Sequence, residues 1–142
     1  MLQFSATAAN YTGGAANAGG IAGAVAAGTT TLIQTIATNS GTVGITTGAA
    51  MLKMTGAVVE SASLQTMFNA AIGTSIVTVA AGTESFFSFY DQTNSRMVVG
   101  QVDSGANTQI ETADVVTLIG TINMSAADYA LFSVNNLGII AA

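Results

Sequence analysis

Short apolar runs, most of them alternating with Thr, Ser, Gln or Asn, follow one another along this chain and are separated by glycines. A period of two sends successive side chains to opposite faces of a β-strand, so each such run predicts a strand with one face turned inward. Residues 1–9 open with Leu2 and Phe4 set against Gln3 and Ser5, a short strand. Residues 29–37 (TTTLIQTIA) are rich in β-branched side chains, which fit a pleated surface, and predict a second strand. Further strands are expected at 42–46, 50–54 and 57–60. Within 51–54, Lys53 stands between apolar neighbours, the pattern of a strand with one wet face.

Between 61 and 73 the period changes: Leu64, Met67, Phe68 and Ala71 recur at i, i+3, i+4 and i+7. That spacing predicts a helix, with Ser61 as its cap and Gly73 as its stop, and a Met/aromatic stripe of this kind reads as core rather than as a ligand pocket. Residues 75–80 return to strand. Two longer runs, ESFFSFY at 84–90 and RMVVGQV at 96–102, flank the polar stretch 91–95 and predict a β-hairpin. In the first run Phe86, Ser88 and Tyr90 share one face while Phe87 and Phe89 share the other, so the strand is expected to be interior and covered on both sides. Residues 115–122 form another strand, Ser125 and Asp128 open a helical turn in the S-x-x-D manner, and 131–134 and 137–140 close the chain as strands. The tally of about nine or ten short strands with two or three short helices predicts a mainly β fold, an antiparallel sandwich or β-roll. At 142 residues, 1–142 is expected to be a single domain with its own core.

Residues 10–28 break this rhythm with a Gly/Ala-rich segment. It reads either as a loop leading into a short Ala-rich helix near 21–27, or as a close-packing or intersubunit segment where missing side chains let backbones approach.

Composition changes the picture at the surface. Hydrophobic residues make up 50% of the chain and aromatics only 6%, so the core is built from small and β-branched side chains. Charged residues are also 6%, against about 25% in ordinary soluble domains. The surface must be tiled with Thr, Ser, Asn, Gln and Gly, or covered by neighbouring copies. No charge occurs before Lys53, the seven acids all follow it, and the net charge is −5. With Lys53 and Arg96 as the only bases, phosphate neutralisation fails, which excludes nucleic acid and disfavours anionic membrane surfaces. Residues 15–27 are small and apolar but interrupted, and fall short of the roughly 20 residues a transmembrane helix needs. The N-terminus lacks a basic and then apolar secretory pattern, so an export address would lie elsewhere.

Chemistry is mostly ruled out. There is no histidine and no cysteine, which removes Ser-His-Asp and Cys-His nucleophilic systems, disulfides and thiolate metal sites. A Ser-Lys dyad would need Lys53, which falls in a strand without a serine-nucleophile motif. Carboxylate pairs for glycosidase chemistry are not supported, because tryptophan is absent and few acids fall on strand ends. Gly13, Gly14, Gly19, Gly20 and Gly23 form neither a dinucleotide fingerprint nor a P-loop. The chain is therefore expected not to be an enzyme, and no cofactor is implied. One constellation offers oxygen ligands to calcium: Asp103, Asn107, Glu111 and Asp114 crowd the loop DSGANTQIETAD. Their spacing does not match an EF-hand, and a solvated polar loop is the competing reading.

Four phrases carry a family resemblance: Glu84-Ser-Phe-Phe-Ser-Phe-Tyr-Asp91, Arg96-Met-Val-Val-Gly-Gln-Val-Asp103, Asp114-Val-Val-Thr-Leu-Ile-Gly-Thr-Ile122 and Ser125-Ala-Ala-Asp-Tyr129. Together with Leu2-Gln-Phe-Ser5, they resemble the C-terminal region of proteins exported by type I, ABC-transporter systems, among them RTX-type exoproteins and bacterial surface-layer proteins. Residues 84–134 carry most of this likeness, and about 84–142 would correspond to the secretion module. The calcium-binding nonapeptide repeat of that family is missing, since no aspartate follows Gly13-Gly14 or Gly19-Gly20 in its pattern. The resemblance implies one-step export through an uncleaved C-terminal signal, an extracellular or cell-surface location, and the ABC-type secretion machinery as a partner.

The expectation that follows is an extracellular structural protein that self-assembles with copies of itself into a surface layer or filament. Many strands, few charges and no proline or lysine guarding strand edges all favour edge pairing between copies. Two alternatives stand beside it: a C-terminal secretion or anchoring module of a larger calcium-binding exoprotein, and a surface adhesin binding glycans. A phage or capsid structural protein is compatible with the same composition.

Overall fold

The computed structural model describes residues 2–5, 32–45, 49–61 and 63–140. The Gly/Ala-rich segment 10–28 and the start of the strand expected at 29–37 lie outside the described residues. Ten strands and two short α-helices follow in the order β1 (Leu2–Ser5), β2 (Leu32–Ile36), β3 (Thr42–Gly44), β4 (Ala49–Val58), α1 (Leu64–Ile72), β5 (Ile76–Thr78), β6 (Glu84–Asp91), β7 (Arg96–Asp103), β8 (Gln109–Ile110), β9 (Val115–Asn123), α2 (Ala126–Leu131) and β10 (Leu137–Ile140). The fold is mainly β, as the alternating pattern predicts.

A five-stranded sheet in the order β2-β4-β6-β7-β9 forms the centre, a three-stranded sheet β3-β5-β8 contributes to its core, and β1 and β10 form a separate parallel pair. The central sheet is mixed in direction: β2, β4 and β6 run parallel, whereas β6-β7 and β7-β9 are antiparallel. The difference from a wholly antiparallel arrangement follows from the connections. A tight turn after Asp91 returns the chain at Arg96 beside the strand it left, but parallel neighbours need crossovers of a dozen or more residues. The link from β2 to β4 contains β3, and the link from β4 to β6 contains α1 and β5. These crossovers build the second layer.

That layer encloses the first core, where Met67, Phe68, Ala71 and Ile72 of α1 meet Leu52, Met54, Phe87, Phe89, Val98 and Val102 of the sheet, with Val77 and Ile110 from the smaller sheet. Phe68 and Phe87 pack with centroids 4.8 Å apart, and Phe87 stacks on Phe89 at 5.9 Å. The opposite face of the sheet carries a second core of Met51, Phe86, Tyr90, Met97 and Val99, roofed by Tyr129 and Phe132 at and beyond α2. Strand β6 thus feeds both cores by simple alternation, Phe87 and Phe89 to one and Phe86 and Tyr90 to the other, as its two-sided aromatic pattern predicts.

Three local details depart from the sequence pattern. The helix α1 is capped by Ser63, whose side chain accepts from the Thr66 backbone N–H, rather than by Ser61, which donates its hydroxyl to the Ser63 carbonyl. The strands expected at 50–54 and 57–60 are one strand, β4, because Gly56 stays extended, and its missing side chain admits the Thr38 hydroxyl as it donates to the Ala71 carbonyl at 2.8 Å. The expected strand at 131–134 is instead the end of α2, at Leu131, followed by a 3-10 turn at Val134–Asn136. The S-x-x-D start of α2 is a full capping box: Ser125 accepts from the Asp128 N–H and Asp128 accepts from the Ser125 N–H.

Candidate functional site

The four phrases of the resemblance fall on β6, β7, β9 and the first turn of α2, a contiguous unit of the fold. At its outer margin lies β9, an edge of the central sheet that pairs only with β7 among the described residues. All of its residues, Val115–Asn123, are uncharged and none is proline. Val115 is 71% exposed, Leu118 54% and Ile119 49%. A bulge explains why so much apolar surface faces outward. Leu118 pairs with Gly100 and Gly120 with Val99, leaving Ile119 without an opposite number. The extra residue reverses the alternation, so that Val116 packs against the first core and Ile122 against the second. The strand therefore serves both faces of the sheet while Leu118 and Ile119 stay in solvent.

A second polar centre sits under α2. The sequence pattern puts Lys53 on a wet face, but its side chain is buried, with the residue only 6% exposed. The flanking Met51, Leu52 and Met54 are buried too, since β4 is an interior parallel strand covered on both sides. A near-continuous apolar run, AAMLKM, is the signature of such a strand and is the signal that would have found this placement. The Lys53 ammonium donates to the carbonyl oxygens of Ala130 and Phe132, each at 2.8 Å, and lies 5.0 Å from the centre of the Tyr129 ring. It thus closes the C-terminal end of α2, where carbonyls lack partners in the helix and favour a cation. Burial away from water pushes the Lys53 pKa down from its ordinary value.

Tyr129 fastens α2 from the other direction. Its hydroxyl lies 2.8 Å from the Met54 carbonyl oxygen and 3.0 Å from that of Ser88, donating its proton to this pair, with the Ser88 hydroxyl 3.3 Å away. Burial drives the Tyr129 pKa upward, so the phenol stays protonated. The sequence pattern marks Tyr129 only as the end of the S-x-x-D phrase, and nothing local in it signals the hydroxyl's reach across the sheet.

The acidic loop uses its side chains as turn anchors. Asp103 accepts from the Gly105 N–H, Asn107 from the Gln109 N–H, and Asp114 from the Glu111 N–H, each at 2.8 Å. Asp114 is buried, which raises its pKa, with the negative charge of Asp103 adding to the rise and hydrogen bonds from Glu111 and Asn107 opposing it. Among the described residues no three Asp or Glu side chains come together in a group that could hold a metal ion. At the β6–β7 turn, Asp91 is fully buried and receives the Arg96 guanidinium at 2.8 Å, the Asn94 side chain at 2.9 Å and the N–H groups of Thr93 and Asn94. Burial alone would raise its pKa, but these donors together hold it below the ordinary value.

No helix among the described residues is long and apolar enough to cross a membrane. Comparison with family models, curated proteins and solved structures returned no match, so the resemblance rests on the quoted residues alone.

Proposed function

We propose that this chain is an extracellular structural protein whose copies join through the open edge of the central sheet. The observation that carries this reading is β9: nine uncharged residues, without proline, at a sheet margin, with Val115, Leu118 and Ile119 in solvent. Natural sheets protect such edges with lysine, proline or very short strands, because unpaired N–H and C=O groups recruit further strands. Here only the bulge at Ile119 intervenes. An edge so little defended fits a chain whose edge has a partner.

Strand directions favour a repeating contact. Because β2, β4 and β6 are parallel and two reversals follow, β9 points the same way as β2 at the opposite margin. Pairing β9 of one copy with β2 of the next would be parallel and head-to-tail, prolonging the sheet into a filament or layer. Pairing β9 with itself would be antiparallel and would close as a two-fold dimer. Electron microscopy of the purified protein at increasing concentration tests the choice. Filaments or lattices are expected; discrete two-fold dimers would refute the layer, and a dispersed monomer would refute edge association altogether.

The same reading includes export by a type I route, supported by the resemblance of residues 84–134. Removing the uncharged tail SVNNLGIIAA, residues 133–142, should retain the protein in the producing cell, and normal export of the shortened chain would contradict it.

A further inference from the structure

The face of the central sheet that carries α2 holds an open cleft of about 290 Å³, separate from the β9 edge. Thr35 of β2 and Lys53 and Thr55 of β4 form its floor, with Tyr90 and Tyr129 beside them. It stays open because the remaining lining positions are alanines: Ala57 below, and Ala126 and Ala130 on α2. Small-molecule sites usually occupy roughly 300–1,000 Å³, so this cleft suits a single ring rather than a polymer segment.

Its chemistry is specific. Thr35 and Thr55 are exposed lining residues that carry hydroxyls. An ammonium has three N–H donors, and Lys53 commits two of them to the carbonyls of Ala130 and Phe132. No carboxylate lines the cleft, and the ion pairs among the described residues both belong to Arg96. A buried cation without a counter-charge is poorly compensated, and an incoming carboxylate would supply what the protein does not. We infer that the cleft binds a hydroxylated monocarboxylate of sugar size, a uronic acid, with its carboxylate on Lys53, hydroxyls on Thr35 and Thr55, and the apolar side of its ring on the alanines. This goes beyond self-association and does not depend on it.

The test is a titration of the full chain with glucuronate, followed residue by residue through amide NMR shifts, with glucose and acetate as comparison arms. Saturable shifts confined to Thr35, Lys53, Thr55 and residues 126–130 are expected, with no response to glucose and binding of acetate at least about tenfold weaker. Ala126→Leu, at an exposed position, should fill the cleft and abolish the shifts while leaving Lys53 in place. Lys53→Met should abolish them too, and if that variant fails to fold, Ala126→Leu decides. The absence of saturable shifts, binding of glucose or acetate as tight as that of glucuronate, or unchanged binding by Ala126→Leu would each overturn the assignment.

Discussion

Gly100 of β7 stands opposite Phe87 of β6 in the ladder, and the side chain missing from the one is the space that holds the ring of the other. A Cβ on Gly100 would collide with that ring and would lie 2.9 Å from the Thr117 carbonyl oxygen on β9. Phe87 is fully buried and packs against both Phe68 and Phe89. Gly100→Ala should therefore destabilise the fold by about 1–3 kcal/mol, the range for overpacking a core. A Cβ on Gly120, on the neighbouring strand, meets nothing within 4 Å, so Gly120→Ala should cost no more than about 0.5 kcal/mol. Urea denaturation of the two variants checks the contrast.

Two buried aspartates should titrate with opposite signs. Asp91 has its folded pKa held below the ordinary 3.8, so its contribution to stability is present above that value and is lost as pH falls through the folded pKa. Asp91→Ala should cost about 3 kcal/mol at neutral pH, because Arg96 and two backbone donors lose their acceptor, and should flatten the acid limb of the stability curve. Asp114 has its folded pKa raised above 3.8, so its contribution is full below 3.8 and is lost as pH rises through the folded pKa. Asp114→Asn should raise the denaturation midpoint at pH 7 relative to wild type and lose that advantage at pH 3. Paired urea curves at the two pH values read both effects.

The attachment of α2 depends on one hydroxyl that reaches the backbones of two strands. Removing it in Tyr129→Phe leaves the Met54 and Ser88 carbonyls without that donor in a buried setting and should cost about 1–3 kcal/mol. Ser125→Ala removes the capping box at the other end of the helix and should cost about 1 kcal/mol. Hydrogen exchange should show earlier opening of residues 126–132 in both variants, ahead of β6 and β7.

The strands were legible wherever one period persisted. Alternation in 84–90 assigned Phe86 and Tyr90 to one face and Phe87 and Phe89 to the other, and the two cores divide them that way. The spacing of Leu64, Met67, Phe68 and Ala71 announced α1, and Ser125 with Asp128 announced α2. What local pattern does not carry is the identity of a strand's neighbours. Lys53 was read against a wet face because a lone lysine in a strand usually snorkels to water, yet α2, some 75 residues later, brings carbonyls to it. The parallel pairing of β2, β4 and β6 was hidden for the same reason: it depends on where long crossovers pack, not on the strands' own residues. The bulge at Ile119 was not assigned because the apolar pairs Val115-Val116 and Leu118-Ile119 leave the face of each side chain open until the partner strand fixes the register.

The central claim is that β9 joins copies of this chain, and sedimentation velocity across a concentration series tests it most directly, comparing wild type with Leu118→Lys and Ile119→Lys. Both positions are exposed, so each lysine should change stability by no more than about 0.5 kcal/mol while placing an unpaired charge on the edge. The account predicts that wild-type mass grows with concentration and that both variants remain monomers with unaltered melting. A wild type that stays monomeric at every concentration, or lysine variants that assemble as readily as it does, would contradict it.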